Sequence, residues 1–542
     1  MSTSGHNLPL PHGWPDTDTL ARLANEFFAA IPSSSAEREA VRVSGHSAPS
    51  VASVAHDLRG DVPLGSAGPA AIPLPGEAEL KDLFESFVPA LAAPPSAPNL
   101  GGGNQGFYFL SDGASNLPGF DSSQFEQSPL PVDPAPLDAN RIRQDFPILR
   151  ERVNGRPLVW LDNAATTQKP TAVIERIKFF YEHENSNVHR AAHELAARST
   201  DAYEGARAKV RAFLKAASTN EIVFVRGATE AINLVAQSWG RQSVGKDDEI
   251  VITWLEHHAN IVPWQHLAAE TGARLRVAPV DDSGQVILSE YEKLLGSRTK
   301  LVAIAQVSNA LGTITPAKQM IAAAHAVGAK VLVDGAQSVS HMPVDVQALN
   351  ADWFVFSGHK VFAPTGIGVL YGKEALLNEA PPWQRGGNMI QDVTFERTVF
   401  QNAPAKFEAG TGNIADAVGL GAAVDYVTAI GMDRIAAYEH QLLVYATRLL
   451  KDIPGLRLIG TAQEKAGVLS FVLDGHRNED VGSALNKEGI AVRTGHHCAQ
   501  PILRRFGVEG TVRPSFAFYN TCSDIDTLAE ALRRLTSSRK IV

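Results

Sequence analysis

The sequence predicts an α/β protein: a large domain on a mostly parallel sheet, joined to a smaller α+β domain and preceded by a mostly disordered, proline-rich leader. Three observations carry this reading. From Phe146 onward, short β-branched runs alternate with Ala-rich stretches at helical spacing, the pattern of buried strands linked by crossover helices. The first 140 residues hold 18 of the 32 prolines and neither of the two cysteines. They also carry 5 Lys+Arg against 16 Asp+Glu, so the net charge of -9 resides there, while the remainder, with 44 basic and 42 acidic residues, stands at +2.

Composition narrows the class. With 542 residues, 44% of them hydrophobic and 20% charged, the chain has material for several cores. Two cysteines exclude a disulfide scaffold and point to a reducing cytoplasm. No apolar run approaches the roughly 20 residues of a membrane-crossing helix, and the first thirty residues lack a basic start followed by an apolar stretch. The expectation is a cytoplasmic protein without a membrane partner. Its acidic balance gives no general attraction for nucleic acid, so none is expected as a partner.

In chain order, residues 1–140 read as a Pro-rich targeting or partner-binding region. Stretches such as ALAAPPSAPNLGGGNQG cannot sustain a long helix or a central strand. Within it, Leu20, Leu23, Phe27 and Phe28 fall on a helical stripe ending at Pro32; Leu80, Leu83, Phe84 and Phe87 form a second; and Phe107–Leu110 are an aromatic island. Such islands suit docking, either in a partner's groove or on the chain's own body. Residues 141–410 form the large domain, with strands at EIVFVRG, EIVITWL, RLRVAPV, LVAIAQVS and KVLVDGA, and another over Gly366 to Leu370. Residues 411–542 form the small domain, beginning with a long helical stretch through Ala422 to Leu450, then GLRLIGT, GVLSFVL and AVRTG strands and a helix at DIDTLAEALRRL. A contribution of the segment before the large domain to the small one is left open.

Chemistry gathers at strand ends. In ADWFVFSGHK, Lys360 follows an apolar run and a small-residue turn, where burial would favour its neutral, nucleophilic form. KVLVDGAQS ends a strand with Asp334 and Gln337, at the edge where open α/β sheets bind ligands. RGATEAINL leads through Gly227 and Ala228 into Thr229 at a helix start, where free amides can hold a phosphate. Alone, these also read as a surface lysine, a capping aspartate and a plain helix cap. Together they supply an imine-forming amine, a partner for a protonated pyridine nitrogen and a phosphate site, which pyridoxal phosphate requires.

With those motifs in order, the chain over residues 141 to 542 closely resembles the class V aminotransferase family of fold type I pyridoxal-phosphate-dependent transferases, and within it the SUF-type (group II) cysteine desulfurases related to selenocysteine lyases. The resemblance implies roles. Lys360 would carry the cofactor and move protons, Asp334 would pair with the pyridine nitrogen, Gln337 would bond near the phenolic oxygen, and His257 of WLEHHAN would stack on the ring and serve catalysis by assisting proton transfer. Ala228, Thr229, Ser357 and His359 would hold the phosphate, while Asn309 would lie near the ring or the substrate carboxylate. Cys498 of RTGHHCAQP would form the persulfide, and Arg513 of TVRPSFAFYNT would receive the substrate carboxylate. Asn163 of LDNAATTQKP, with Ala164, and His189 and Arg190 of NVHRAAHELA match segments enclosing the site, and Asn163 is expected to bind substrate there with Asn309 and Arg513. Thr411 of FEAGTGNI matches a contact to the phosphate of the other subunit and so implies a homodimer. Gly412 and Asn388 depart from the common proline and glutamate. No metal is implied, and His258 and Cys522 receive no role.

The implied reaction converts L-cysteine to L-alanine, leaving sulfur on Cys498 for an acceptor protein. Selenocysteine lyase or aminotransferase activity, or a pyridoxal-phosphate-binding scaffold without activity, are the alternatives. The leader's ANEFFAAIP and GFYFL segments look like the N-terminal extensions of desulfurases packaged in encapsulin shells. That likeness implies an address to the shell interior, against the alternative of a regulatory or scaffold-binding tail.

Overall fold

A computed structural model describes residues 137–189 and 193–537 of the chain. The leader's amphipathic and aromatic islands lie outside the described residues, as does Arg190.

Seven strands make the main sheet: β1 (Ile222–Val225), β2 (Glu249–Thr253), β3 (Arg274–Ala278), β4 (Thr299–Ala305), β5 (Lys330–Asp334), β6 (Trp353–Ser357) and β7 (Gly368–Gly372). Their order in space is β1-β7-β6-β5-β4-β2-β3, and all run parallel except β7, which is antiparallel to both neighbours. The strand expected from Gly366 begins two residues later, because Gly366, with φ +75°, still belongs to the turn. Both faces of the sheet are covered. In β6, Phe354 and Phe356 enter one core while Trp353 and Val355 enter the other, as the two-residue repeat of a strand requires.

Among the helices of the described residues that bear on the site are α1 (Thr171–His183), α2 (Glu194–Leu214), α3 (Ala228–Val235), α4 (Ile414–Ile430), α5 (Met432–Lys451), α6 (Gln500–Arg505) and α7 (Cys522–Ser537). The single helix expected across Ala422 to Leu450 is instead the pair α4 and α5, bent by 74°. The break is Gly431, whose φ of +95° is a conformation that glycine alone adopts freely. Helix α4 packs on α1 and α2, closely enough that a Cβ on Gly421 would lie 2.9 Å from that of Ala206. Among the described residues no single helix is long and apolar enough to cross a membrane.

The second, smaller sheet is antiparallel, with β8 (Leu456–Ile459), β9 (Ser470–Leu473), β10 (Arg493–Gly495) and β11 (Thr511–Arg513) in the order β8-β9-β11-β10. Its core joins Phe471 and Val512 to Leu442 and Leu450 of α5 and Ile525 and Leu528 of α7. Val159–Trp160 pairs in parallel with Ile490–Ala491, so the segment ahead of the main sheet is stitched to this smaller region.

Candidate active site

The parallel strands of the main sheet converge on one cavity of about 230 Å³. Ala228 and Thr229 reach it after β1, His257 after β2, Asn309 after β4, Asp334 with Ala336 and Gln337 at the end of β5, and Ser357, His359 and Lys360 at the end of β6. These are the carboxyl ends of the strands, where an open sheet leaves a crevice between its crossovers. The smaller region closes the opposite wall with Arg493, His497, Cys498 and Arg513.

Local packing explains why the sequence places these groups so firmly. Gly335 lies against the ring of Phe354, where a Cβ would fall 1.9 Å from Cζ, so the chain turns away from β5 immediately after Asp334. Lys360 ends a one-turn 3-10 helix over Gly358–Lys360 directly beyond β6. Burial pushes its ammonium below the usual lysine range, with the nearby Asp334 carboxylate opposing that shift. Asp334 is raised by the same burial, although it accepts the Ala336 amide at 2.9 Å and faces the lysine charge. A buried acid and a buried amine thus line the same cavity, and each favours its neutral form until a charged partner arrives.

His257 is held neutral by burial and by the neighbouring Lys360, which bring its pKa down to about 3. Its Nδ1 accepts the amide of Ala259 at 3.0 Å, which assigns the ring proton to Nε2. Behind it, Glu256 is fully buried. It accepts from Thr253 Oγ1 and Asn260 Nδ2, both at 2.6 Å, and Asn260 Oδ1 in turn accepts from Trp264 Nε1 at 2.8 Å. This chain of bonds anchors the turn that carries His257.

The end of α3 that opens on the cavity has no side-chain cap, since its N-cap is Gly227. Ser357 Oγ accepts the Ala228 amide at 2.9 Å, and the remaining amides of the first turn are available to an anion. Across the cavity, the guanidinium of Arg513 donates from Nη1 to the Asn309 carbonyl oxygen at 2.9 Å and from Nη2 to Asp162 at 3.2 Å. Three buried atoms on the cavity's residues have no partner among the described residues: Arg513 Nε, Asn309 Oδ1 and His497 Nδ1. Buried polar atoms are seldom left unpaired. A group with a phosphate, a ring nitrogen for Asp334 and an aldehyde for Lys360 fits these residues, and pyridoxal phosphate is such a group.

Two expected site residues stand elsewhere. Asn163 does not line the cavity: its amide donates to the Ser515 carbonyl oxygen at 2.7 Å and to Asn520 Oδ1 at 3.1 Å, and its oxygen accepts the Tyr519 hydroxyl. Its polar atoms are committed to tying the loop to the smaller region, and the neighbouring Ala164 lines the cavity instead. Thr411 is exposed and borders a separate hollow with Tyr203, Trp383 and Glu408. Gln337 lines the cavity and donates Nε2 to the Ala164 carbonyl oxygen at 2.7 Å. His189 bonds Glu204 at 3.0 Å, away from the cavity. Residue-by-residue reading missed Arg493, Asp162 and Glu256. Arg493 lies five residues before Cys498 in RTGHHC and Asp162 immediately precedes Asn163, so both sat inside motifs already in view.

The sheet order, the lysine after β6 and the acid ending β5 define a pyridoxal-phosphate-dependent transferase-type fold. The family pattern described as Aminotransferase class-V matches residues 159–528. The chain belongs to the class-V aminotransferase family. It is 74% identical over 399 residues to a cysteine desulfurase of Synechococcus elongatus, a match covering 74% of this chain and 64% of that protein. It is 66% identical over 399 residues to a probable cysteine desulfurase of Mycolicibacterium paratuberculosis, covering 74% of this chain and 58% of the relative. The chain therefore spans less than two thirds of the length of these two relatives. A cysteine desulfurase of Dickeya dadantii is 52% identical over 406 residues, covering 75% of this chain and 98% of its own. Among solved structures, the Escherichia coli cysteine desulfurase CsdA in its S-sulfonic acid form superposes with a TM-score of 0.69 at 40% identity, over 74% of this chain and 99% of that one.

Proposed function

We propose that the chain is a cysteine desulfurase of the SUF type, which converts L-cysteine to L-alanine and keeps the released sulfur as a persulfide on Cys498. The observation that carries this reading is the meeting of Lys360, Arg513 and Cys498 around one cavity. An aminotransferase has use for the first two but none for a cysteine there.

When bound, pyridoxal phosphate supplies an electron sink that acidifies the substrate α-carbon and labilises its β-substituent. Lys360 would hold the cofactor aldehyde, Asp334 the ring nitrogen and His257 the ring face, with Ala228, Thr229, Ser357 and His359 around the phosphate. Arg513 takes the substrate carboxylate, and its unpaired Nε supplies a donor for it. Lys360, released to its neutral form by burial, removes the α-proton and returns protons to carbon. The Cys498 thiolate attacks the substrate sulfur: the S–S bond forms as the C–S bond breaks, the sulfurs are oxidised and the β-carbon is reduced to the methyl of alanine. The thiol protons end on that methyl and on the persulfide, so one L-cysteine and one thiol yield one alanine and one persulfide, which an acceptor protein then takes up.

The decisive experiment measures alanine and protein persulfide from L-cysteine and from L-selenocysteine, with K360A and C498S as controls. Desulfurase activity requires alanine with stoichiometric persulfide, both lost in C498S. A C498S protein that still transfers sulfur rejects the mechanism, and exclusive use of selenocysteine assigns a selenocysteine lyase.

The position of Thr411 outside its own subunit's cavity supports a homodimer in which this residue reaches the partner's phosphate site. The acidic leader, with its aromatic islands, supports a role as cargo address for an encapsulin shell in the cytoplasm. Deleting residues 1–140 should leave desulfurase activity intact and abolish co-assembly with a co-expressed shell protein; a truncated enzyme that is still packaged rejects the address.

A further inference from the structure

His258 received no role from the sequence and does not line the cavity, yet it lies against the loop that carries Cys498. That loop is unusual. His497 and Cys498 are consecutive non-glycine residues in the left-handed region, with φ of +52° and +54°, a conformation that persists only where the surroundings dictate it. The loop's polar groups show what dictates it here. The Cys498 carbonyl oxygen accepts the backbone amide of His258 at 2.8 Å. The Cys498 amide donates to Nδ1 of His496 at 3.0 Å. The His497 carbonyl oxygen accepts Nδ2 of Asn309 at 2.7 Å. The rings of His258 and His496 stack with centroids 5.8 Å apart and planes 26° from parallel. Two histidines from different regions of the chain thus meet beside the cysteine: His496 takes its amide through Nδ1, and His258 gives its own backbone amide to the cysteine's carbonyl oxygen.

We infer that His258 and His496 are positioning residues, a clasp that fixes the backbone of Cys498 so that its sulfur stays at the cavity. The inference rests on the reading of Cys498 as the sulfur-accepting thiol, but the clasp can be tested apart from it. Neither imidazole touches the reacting atoms. His496 acts through its Nδ1, which accepts only while unprotonated, and the stacked ring of His258 holds that imidazole in place.

The test uses the full-length holoenzyme with hydrogen exchange read on the segment containing Cys498. In H496A the Cys498 amide loses its acceptor and should exchange about three- to tenfold faster, the worth of one hydrogen bond. H496N should restore the slow rate, because its Oδ1 occupies the place of Nδ1. H496Q, equally polar but with its acceptor one carbon further out, should exchange like H496A. H258A, which removes the stacked ring, should loosen the same amide by a smaller factor. Persulfide formation should fall in H496A by a similar factor, with the KM for L-cysteine unchanged, and recover in H496N. Equal exchange in H496N, H496Q and wild type overturns the clasp, as does a loss in H496A that H496N fails to rescue. Should C498S transfer sulfur normally, the desulfurase reading fails while the exchange rates still decide the clasp.

Discussion

Asp162 holds the guanidinium of Arg513 from behind, accepting Nη2 at 3.2 Å while the Asn309 carbonyl oxygen takes Nη1. Arg513 is buried and its pKa is lowered by that burial to about 10, with Asp162 the main opposing influence. The carboxylate therefore orients the guanidinium and favours its charged form, on the side of the group proposed to receive the substrate carboxylate. D162N should raise the KM for L-cysteine by about tenfold with kcat within about twofold, the pattern of a lost ground-state orientation. Steady-state kinetics check this, and an equal fall in kcat would contradict it.

Burial raises the Glu256 carboxyl from 4.5 to about 7, against the hydrogen bonds from Thr253 and Asn260. Between those values the unfolded chain gives up the proton that the folded protein keeps. Stability should therefore fall as pH rises through that window, by on the order of 3 kcal/mol, and level off above it. E256Q removes the titration, with its oxygen accepting from Asn260 Nδ2 and its NH2 donating to the Thr253 hydroxyl in place of the second accepted bond. Its urea midpoint, followed from pH 4.5 to 8, should show this contribution removed, with the variant gaining on wild type as pH rises.

G335A should be among the more damaging small substitutions in the large domain. Its methyl would sit inside the Phe354 ring, and relief requires moving either β6 or the Asp334 turn. Thermal unfolding should report a loss of about 1–3 kcal/mol, with weakened cofactor retention because Asp334 moves with the turn.

Cys522 is exposed at the start of α7, while Cys498 is partly sheltered. C522S should retain alanine production within about twofold and lose the more exposed of two thiols in a titration of the folded protein. A large loss of activity would assign Cys522 a role that its position does not explain.

Much of the fold was legible because each strand and helix carries its own local signal. β1, β2, β4 and β5 are built on short buried apolar runs, as a sheet covered on both faces demands, whereas β3 at the edge mixes in Arg274 and Arg276. The helix break at Gly431 was missed because both flanking stretches are strongly helical and a single glycine does not announce its φ. At the site, Lys360, Asp334 and Cys498 were legible because each sits in a motif beside a turn. For Asn163 the sequence shows a polar side chain but not where its hydrogen bonds go, which are to Ser515, Asn520 and Tyr519. Glu256 was hidden for the opposite reason: in LEHHAN it reads as a surface charge, and only the packing of Thr253, Asn260 and Trp264 around it shows a buried acid.

The parallel pairing of Val159–Trp160 with Ile490–Ala491 also sets an order of assembly. During synthesis all seven strands of the main sheet are made before Ile490–Ala491, the partner of Val159–Trp160, exists. Cys498 and Arg513 follow within a few dozen residues of that partner, so a chain stalled before Ile490 holds the lysine and its acid but neither thiol nor arginine. The pairing that stitches the earliest segment into place and the cysteine and arginine of the cavity wall therefore reach the growing protein together.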